Sequence, residues 1–190
     1  MEIYLIRHTQ VHNPEKLCYG QSDIPLAETR ENDIAHVCGK LKYDADTMVY
    51  SSPFKRCTEL AEAISSDNFI QRPGLSEMHF GDWEQKSWNS LDQIILNLWM
   101  ADFVNYQVPG GESFKLMHKR CSGFWDELIT KEHEKVFIVT HAGVIRSFLA
   151  HVLNIPLKNI FKMQVDYGSI SKITYDHKFK SLVVNFVNQV

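Results

Sequence analysis

Residues 136–143 read V-F-I-V-T-H-A-G. Four β-prone apolar residues in a row predict a strand buried on both faces. Past Ala142-Gly143, Val144, Phe148 and Val152 recur at helical spacing, so a helix follows the strand directly. A strand that feeds straight into a helix is the repeating step of an α/β fold with a parallel sheet.

The same step recurs outward from this stretch. Residues 2–7 form an apolar run, followed by a polar loop from Thr9 to about Leu26 and a stripe of Ile34, Val37, Cys38 and Leu41. Thr47–Ser51 predicts a second strand, and Phe54, Cys57, Leu60, Ala61 and Ile64 mark the helix after it. A short strand returns near Phe69-Ile70. Phe114, Met117, Cys121, Phe124 and Leu128 give a further helix, and Ser169–Tyr175 and Leu182–Val187 read as two strands around a turn. The expected fold is α/β: a three-layer α/β/α sandwich with a mostly parallel sheet and the last pair as an antiparallel edge.

Residues 75–113 interrupt the alternation. Leu91, Ile94, Ile95 and Leu98 predict a helix there, and Val108-Pro109-Gly110-Gly111 ends the excursion. With 190 residues and no repeat or linker, the chain is expected to be one domain, 1–190, carrying residues 85–113 as a lid-like insertion.

Composition narrows the function classes. Hydrophobic residues make up 44% and the net charge is −3, without the basic footprint of a nucleic-acid binder. No apolar run is long enough to span a membrane, and no leader pattern opens the chain. The four cysteines form no C-x-x-C pair; Cys38, Cys57 and Cys121 fall at apolar positions of helical patterns and read as small buried hydrophobes, and a reducing cytoplasm is the expected setting.

In open α/β sheets, ligands bind beyond the carboxyl ends of the strands. That rule selects Arg7-His8, Ser51-Ser52 with Arg56, and Thr140-His141-Ala142-Gly143. Two arginines and two histidines therefore converge. Two guanidiniums tolerate one pocket when an anion joins them, and phosphate matches their planar fork. Helix N-termini after Pro53 and Gly143 would add N–H donors. The chain has neither G-x-x-x-x-G-K-[ST] nor G-x-G-x-x-G, so the phosphate is not held as in a P-loop or dinucleotide fold.

R-H-T at 7–9, S-S-P-F-K-R at 51–56, L-S-E-M-H-F-G-D-W-E at 75–84 and T-H-A-G at 140–143 together resemble the histidine phosphatase superfamily, the phosphoglycerate mutase-like group. The blocks stand in the family's order. F-G-D-W-E and P-G-G-E-S are similar to its small phosphatases, the α-ribazole phosphatases of cobalamin biosynthesis among them. The resemblance implies His8 as a nucleophile that becomes a phosphohistidine, Glu77 as proton donor, and Arg7, Arg56 and His141 as phosphate binders. Asn13, Gly20 and Ala142 are expected to supply further phosphate contacts. Asn13 requires a one-residue deletion against the family pattern. Cations at Arg7 and Arg56 would keep His8 unprotonated and nucleophilic. No metal or other cofactor is implied. His12 and His79 are the other histidines expected at the pocket rim.

Thr9 departs from the family, which has glycine there. A β-branched residue resists φ > 0, so Thr9 is expected to keep negative φ and to turn its hydroxyl toward the phosphate or a neighbouring loop. The lid carries Trp88, Trp99, Phe103 and Tyr106 but a single cation, Lys86. A partner molecule with one phosphate and an uncharged or aromatic body follows, α-ribazole-5′-phosphate above all. The alternatives are a broad-specificity phosphatase of sugar phosphates or other small metabolites, a phosphoglycerate mutase, and a non-catalytic phospho-ligand sensor, which would have no need of Glu77. A homodimer is compatible with the sequence, which does not fix the oligomeric state.

Overall fold

The computed structural model describes residues 1–66 and 68–190. Six strands build one sheet: β1 (Glu2–Arg7), β2 (Thr47–Ser51), β3 (Ile70–Gln71), β4 (Lys135–Thr140), β5 (Ile170–Asp176) and β6 (Ser181–Gln189). Their spatial order is β3-β2-β4-β1-β5-β6. β3, β2, β4 and β1 run parallel, whereas β5 and β6 add an antiparallel edge.

Alternation along the inner strands explains the three layers. Ile3, Leu5, Val136 and Ile138 face one core, which contains α4 (Phe114–Leu128) and α5 (Ala142–Leu153). Ile6, Val49, Phe137 and Val139 face the other, packed on α1 (Arg30–Lys40) and α2 (Lys55–Ser65). Both faces are covered, which is why these strands read as unbroken apolar runs. Each large side chain fully buried here, Phe137 and Phe148 among them, adds about 1.5–3 kcal/mol of transfer free energy.

The helix of the 85–113 segment corrects one expectation. α3 (Gln93–Ala101) forms where the periodicity places a helix, capped by Asp92, whose carboxylate accepts from the N–H groups of Ile94 and Ile95. Its packed face, however, is Ile95, Leu96 and Trp99, and Ile94 and Leu98 are exposed. The aromatic cluster beneath draws Trp99 inward, which turns the aliphatic ridge out. Nearly all of α3 is apolar, so its composition could not choose the face.

Register then brings the site together. Arg7 lies opposite Thr140 and Ser51 opposite Val139, so three neighbouring parallel strands end level. The His8 N–H donates to the Thr140 carbonyl at 3.0 Å and the Ser52 N–H to the Val139 carbonyl at 2.9 Å, extending the sheet by one residue on each strand.

Candidate active site

A cavity of about 240 Å³ opens over these strand ends, with Arg7, His8, Glu77, His141, Ala142, Gly143 and Arg146 at its base. His8 is 2% exposed, and its Nδ1–H donates to the Thr9 carbonyl at 2.8 Å. That bond fixes the tautomer with Nε2 unprotonated, the form a nucleophile needs. Burial, then the positive charges of Arg7 and Arg56, holds its pKa well below the ordinary histidine value.

Arg7 is held on two sides. Its Nη1 donates to the Val165 carbonyl at 2.7 Å, and its guanidinium carbon lies 3.6 Å from the centroid of the Tyr167 ring. Tyr167 in turn meets Tyr19 hydroxyl to hydroxyl at 2.8 Å. The Arg7 Nε is buried without a hydrogen-bond partner among the described residues.

Of the two residues expected to bind phosphate beside Arg7, His141 lines the cavity and Arg56 does not. Arg56 is fully buried behind His141, outside the cavity wall. Its Nε donates to His141 Nδ1 at 3.3 Å, Nη1 to the Ser22 carbonyl at 2.8 Å and Nη2 to the Gly20 carbonyl. Arginine can only donate, so His141 Nδ1 is the acceptor and its Nε2–H goes to Ser52 Oγ at 2.7 Å. Both ring nitrogens of His141 are thus engaged within the protein, and its ring edge meets His8 with centroids 5.2 Å apart. Burial, then Arg56, keeps His141 neutral, with its pKa far below the ordinary value.

Glu77 sits on irregular chain after a short turn, Pro73–Leu75. Its carboxylate accepts from the Met78 N–H at 2.9 Å and from the Gly143 N–H at 3.0 Å, in the first turn of α5, where the helix dipole favours negative charge. Glycine at 143 leaves room for this arrangement, because a Cβ there would lie 2.2 Å from Glu77 Oε1 and push the carboxyl away. The two carboxylates that could compete with Glu77 are engaged elsewhere. Glu112 pairs with Arg120. Glu84 accepts from the Ser22 hydroxyl and from the N–H groups of Gln21 and Phe80; burial pushes its pKa up, but these bonds hold it below the usual value.

The remaining expected residues divide. Ala142 lines the cavity. Asn13 does not: its amide closes a turn on itself, donating to the Leu17 carbonyl and accepting from the Leu17 N–H, both at 2.9 Å. It edges a neighbouring groove instead. Gly20 also lies off the wall, with its carbonyl taken by Arg56. His12 and His79 stand outside the wall too.

Trp88, Trp99, Phe103, Phe80, Phe114 and Phe161 form the roof. Their rings also pack on one another edge to face, Trp99 on Phe103 at 6.4 Å and Phe103 on Phe161 at 4.9 Å. The aromatics of residues 85–113 therefore both pack and line, except Tyr106, which stands outside the wall. Sequence reasoning missed Arg146, which joins Arg7 as a second guanidinium lining the cavity. Its Nε donates to the Met163 carbonyl at 2.9 Å. The signal was its place one helical turn beyond Gly143, on the strand-end side of α5. Among the described residues no group of His, Cys, Asp and Glu is arranged to hold a metal ion, and no helix is long and apolar enough to cross a membrane.

Comparison with known proteins meets this geometry. The chain is 27% identical over 192 residues to an adenosylcobalamin/alpha-ribazole phosphatase of Escherichia coli, covering 97% of this chain and 95% of that one. It superposes on the alpha-ribazole phosphatase of Shigella flexneri with a TM-score of 0.89 at 25% identity, covering 100% and 96%. A mycobacterial glucosyl-3-phosphoglycerate phosphatase shares the fold, with a TM-score of 0.85 at 20% identity over 100% and 99%. A family model matches residues 3–187, and the chain accordingly belongs to the histidine phosphatase superfamily (branch 1), as a phosphoric monoester hydrolase.

Proposed function

We propose that this enzyme hydrolyses α-ribazole-5′-phosphate, a step of cobalamin biosynthesis, through a phosphohistidine at His8. The observation that carries the mechanism is the His8 tautomer: Nδ1–H is tied back to the Thr9 carbonyl, which leaves the lone pair on Nε2. In the first step the Nε2 lone pair forms the N–P bond as the ester P–O bond breaks. Glu77, entering this step as the protonated acid, gives its proton to the departing alkoxide and is left as the carboxylate. In the second, water attacks phosphorus, the N–P bond breaks, and Glu77 takes the water's proton. Arg7 and the N-terminus of α5 hold the equatorial oxygens, while Arg56 adds charge from behind His141. Residues 85–113 act as the lid of this one domain, and their aromatic roof suits a flat heterocyclic body.

Acid-labile ³²P transfer to the protein, abolished in His8→Ala, tests the mechanism; label retained in that variant would overturn it. The substrate is tested by kcat/KM on α-ribazole phosphate against a panel of simple monoesters. Equal or higher values on the panel would sink the α-ribazole assignment.

Arg146 favours a second reading. The scarcity of cations in the lid is offset by this guanidinium at the cavity base, which could receive a second acidic group. A phosphatase of small acidic esters, or a phosphoglycerate mutase, would use it so. Preference for 3-phosphoglycerate supports that reading, and dependence on a bisphosphate primer singles out the mutase.

A further inference from the structure

Glu77 must present its carboxyl accurately, yet it stands on a stretch without regular secondary structure, six residues beyond Gln71, where the two-residue strand β3 ends. Its main support comes from α4. Arg120 Nη1 donates to the carbonyls of Gly74 at 3.0 Å and Ser76 at 2.6 Å, and Nη2 to the carbonyl of Glu77 itself at 2.8 Å. The same Nη2 reaches Glu112 Oε1 at 2.7 Å, and Nε lies 3.4 Å from Glu112 Oε2. Glu112 then returns to the segment: its Oε1 accepts from the His79 N–H, and its own N–H donates to the His79 carbonyl, both at 2.9 Å. One ion pair thus grips residues 74, 76, 77 and 79.

A partly buried ion pair of this kind is weak as a source of stability, because desolvation offsets its attraction. What it supplies is geometry, through a planar fork that meets several carbonyls at fixed angles. The P-G-G-E-S and F-G-D-W-E motifs tighten the same joint. A Cβ on Gly111 would lie 2.3 Å from the His79 carbonyl, and one on Gly81 would lie 2.2 Å from the Pro109 carbonyl. The end of the 85–113 segment is therefore spliced, backbone to backbone, onto the segment that carries Glu77.

We infer that Arg120 and Glu112 are positioning residues that set Glu77 for proton transfer. This rests on the reading of Glu77 as the acid, and the test separates the two. Protonation matters for an alkoxide leaving group and hardly for 2,4-dinitrophenolate, so the readout is kcat/KM on ribose 5-phosphate relative to 2,4-dinitrophenyl phosphate. The ratio is measured within each preparation, so it does not depend on the fraction of enzyme that is folded. Glu112→Gln, close to isosteric, accompanies Arg120→Met in case the latter folds poorly.

In both variants the ratio is expected to fall by about 30–100-fold, approaching its value in Glu77→Gln, as misplacement of a general acid predicts. If Glu77→Gln lowers the ratio while Arg120→Met and Glu112→Gln lose activity on both esters alike, the pair is merely structural and the inference fails. If Glu77→Gln itself leaves the ratio unchanged, Glu77 is not the acid, and that reading falls together with the inference.

Discussion

Thr9 is 1% exposed, and its hydroxyl finds no hydrogen-bond partner among the described residues. Its φ is not among the positive values, as a β-branched residue requires. Thr9 borders a small cavity with Tyr167 and Gly168, on the loop before β5, without a hydrogen bond to it. What the site uses is the Thr9 carbonyl, which accepts from His8 Nδ1. A backbone role is indifferent to the side chain, and this explains how threonine can stand where the family has glycine. Thr9→Val should therefore leave kcat/KM within about 2-fold and raise stability by about 1 kcal/mol, since a buried unpaired hydroxyl is replaced by a methyl of the same shape. Urea unfolding and steady-state kinetics measure both, and a ten-fold kinetic loss would return a function to the hydroxyl. Legibility at this scale followed position in the chain. Arg7, His8 and His141 stood out because they follow buried strands. Arg120 and Arg146 did not, because only the packing of α4 and α5 turns them inward.

Among the elements, β1, β2, β4, α2 and α5 were legible because their partners on both sides are apolar and their periods differ cleanly. α3 was legible in place but not in orientation, since the face it packs is chosen by aromatic rings from three other segments. That helix is also lightly anchored, with nine residues and Leu96 its single buried side chain. Its cap should then carry an appreciable share of its local stability. Asp92→Ala removes both cap bonds and is expected to cost about 1 kcal/mol. The loss should appear as faster amide exchange over 93–101, with sheet amides unchanged, because such openings are local. Uniform acceleration through β1 and β4 would mean instead that α3 unfolds only with the whole molecule.

For the molecule as a whole, two imidazoles are buried neutral beside arginines, and this links the site to acid stability. His8 and His141 both have pKa values far below the ordinary one, first through burial and then through neighbouring cations. In the unfolded chain each would titrate near 6.5. Above that pH neither state binds the proton, so the two residues contribute no pH dependence. As pH falls below about 6.5 the unfolded state takes up protons that the native state refuses, so stability must decline, and it goes on declining until the native pKa is reached. Each residue then contributes a slope of about 1.4 kcal/mol per pH unit once the unfolded form is fully protonated. His118 and His133, whose pKa values burial also lowers, act in the same direction. Glu2 and Glu84, with lowered carboxyl values, enter only as pH falls below about 4.5, so the interval from 6 to 5 reads the histidines. Urea unfolding followed by tryptophan fluorescence across that interval should give a falling free energy. In His8→Asn the slope should shrink by about 1.4 kcal/mol per pH unit, whatever that variant's absolute stability. An unchanged slope would mean that His8 accepts a proton in the folded enzyme. The cationic surroundings that ready it for phosphorus would then be too weak to keep it neutral.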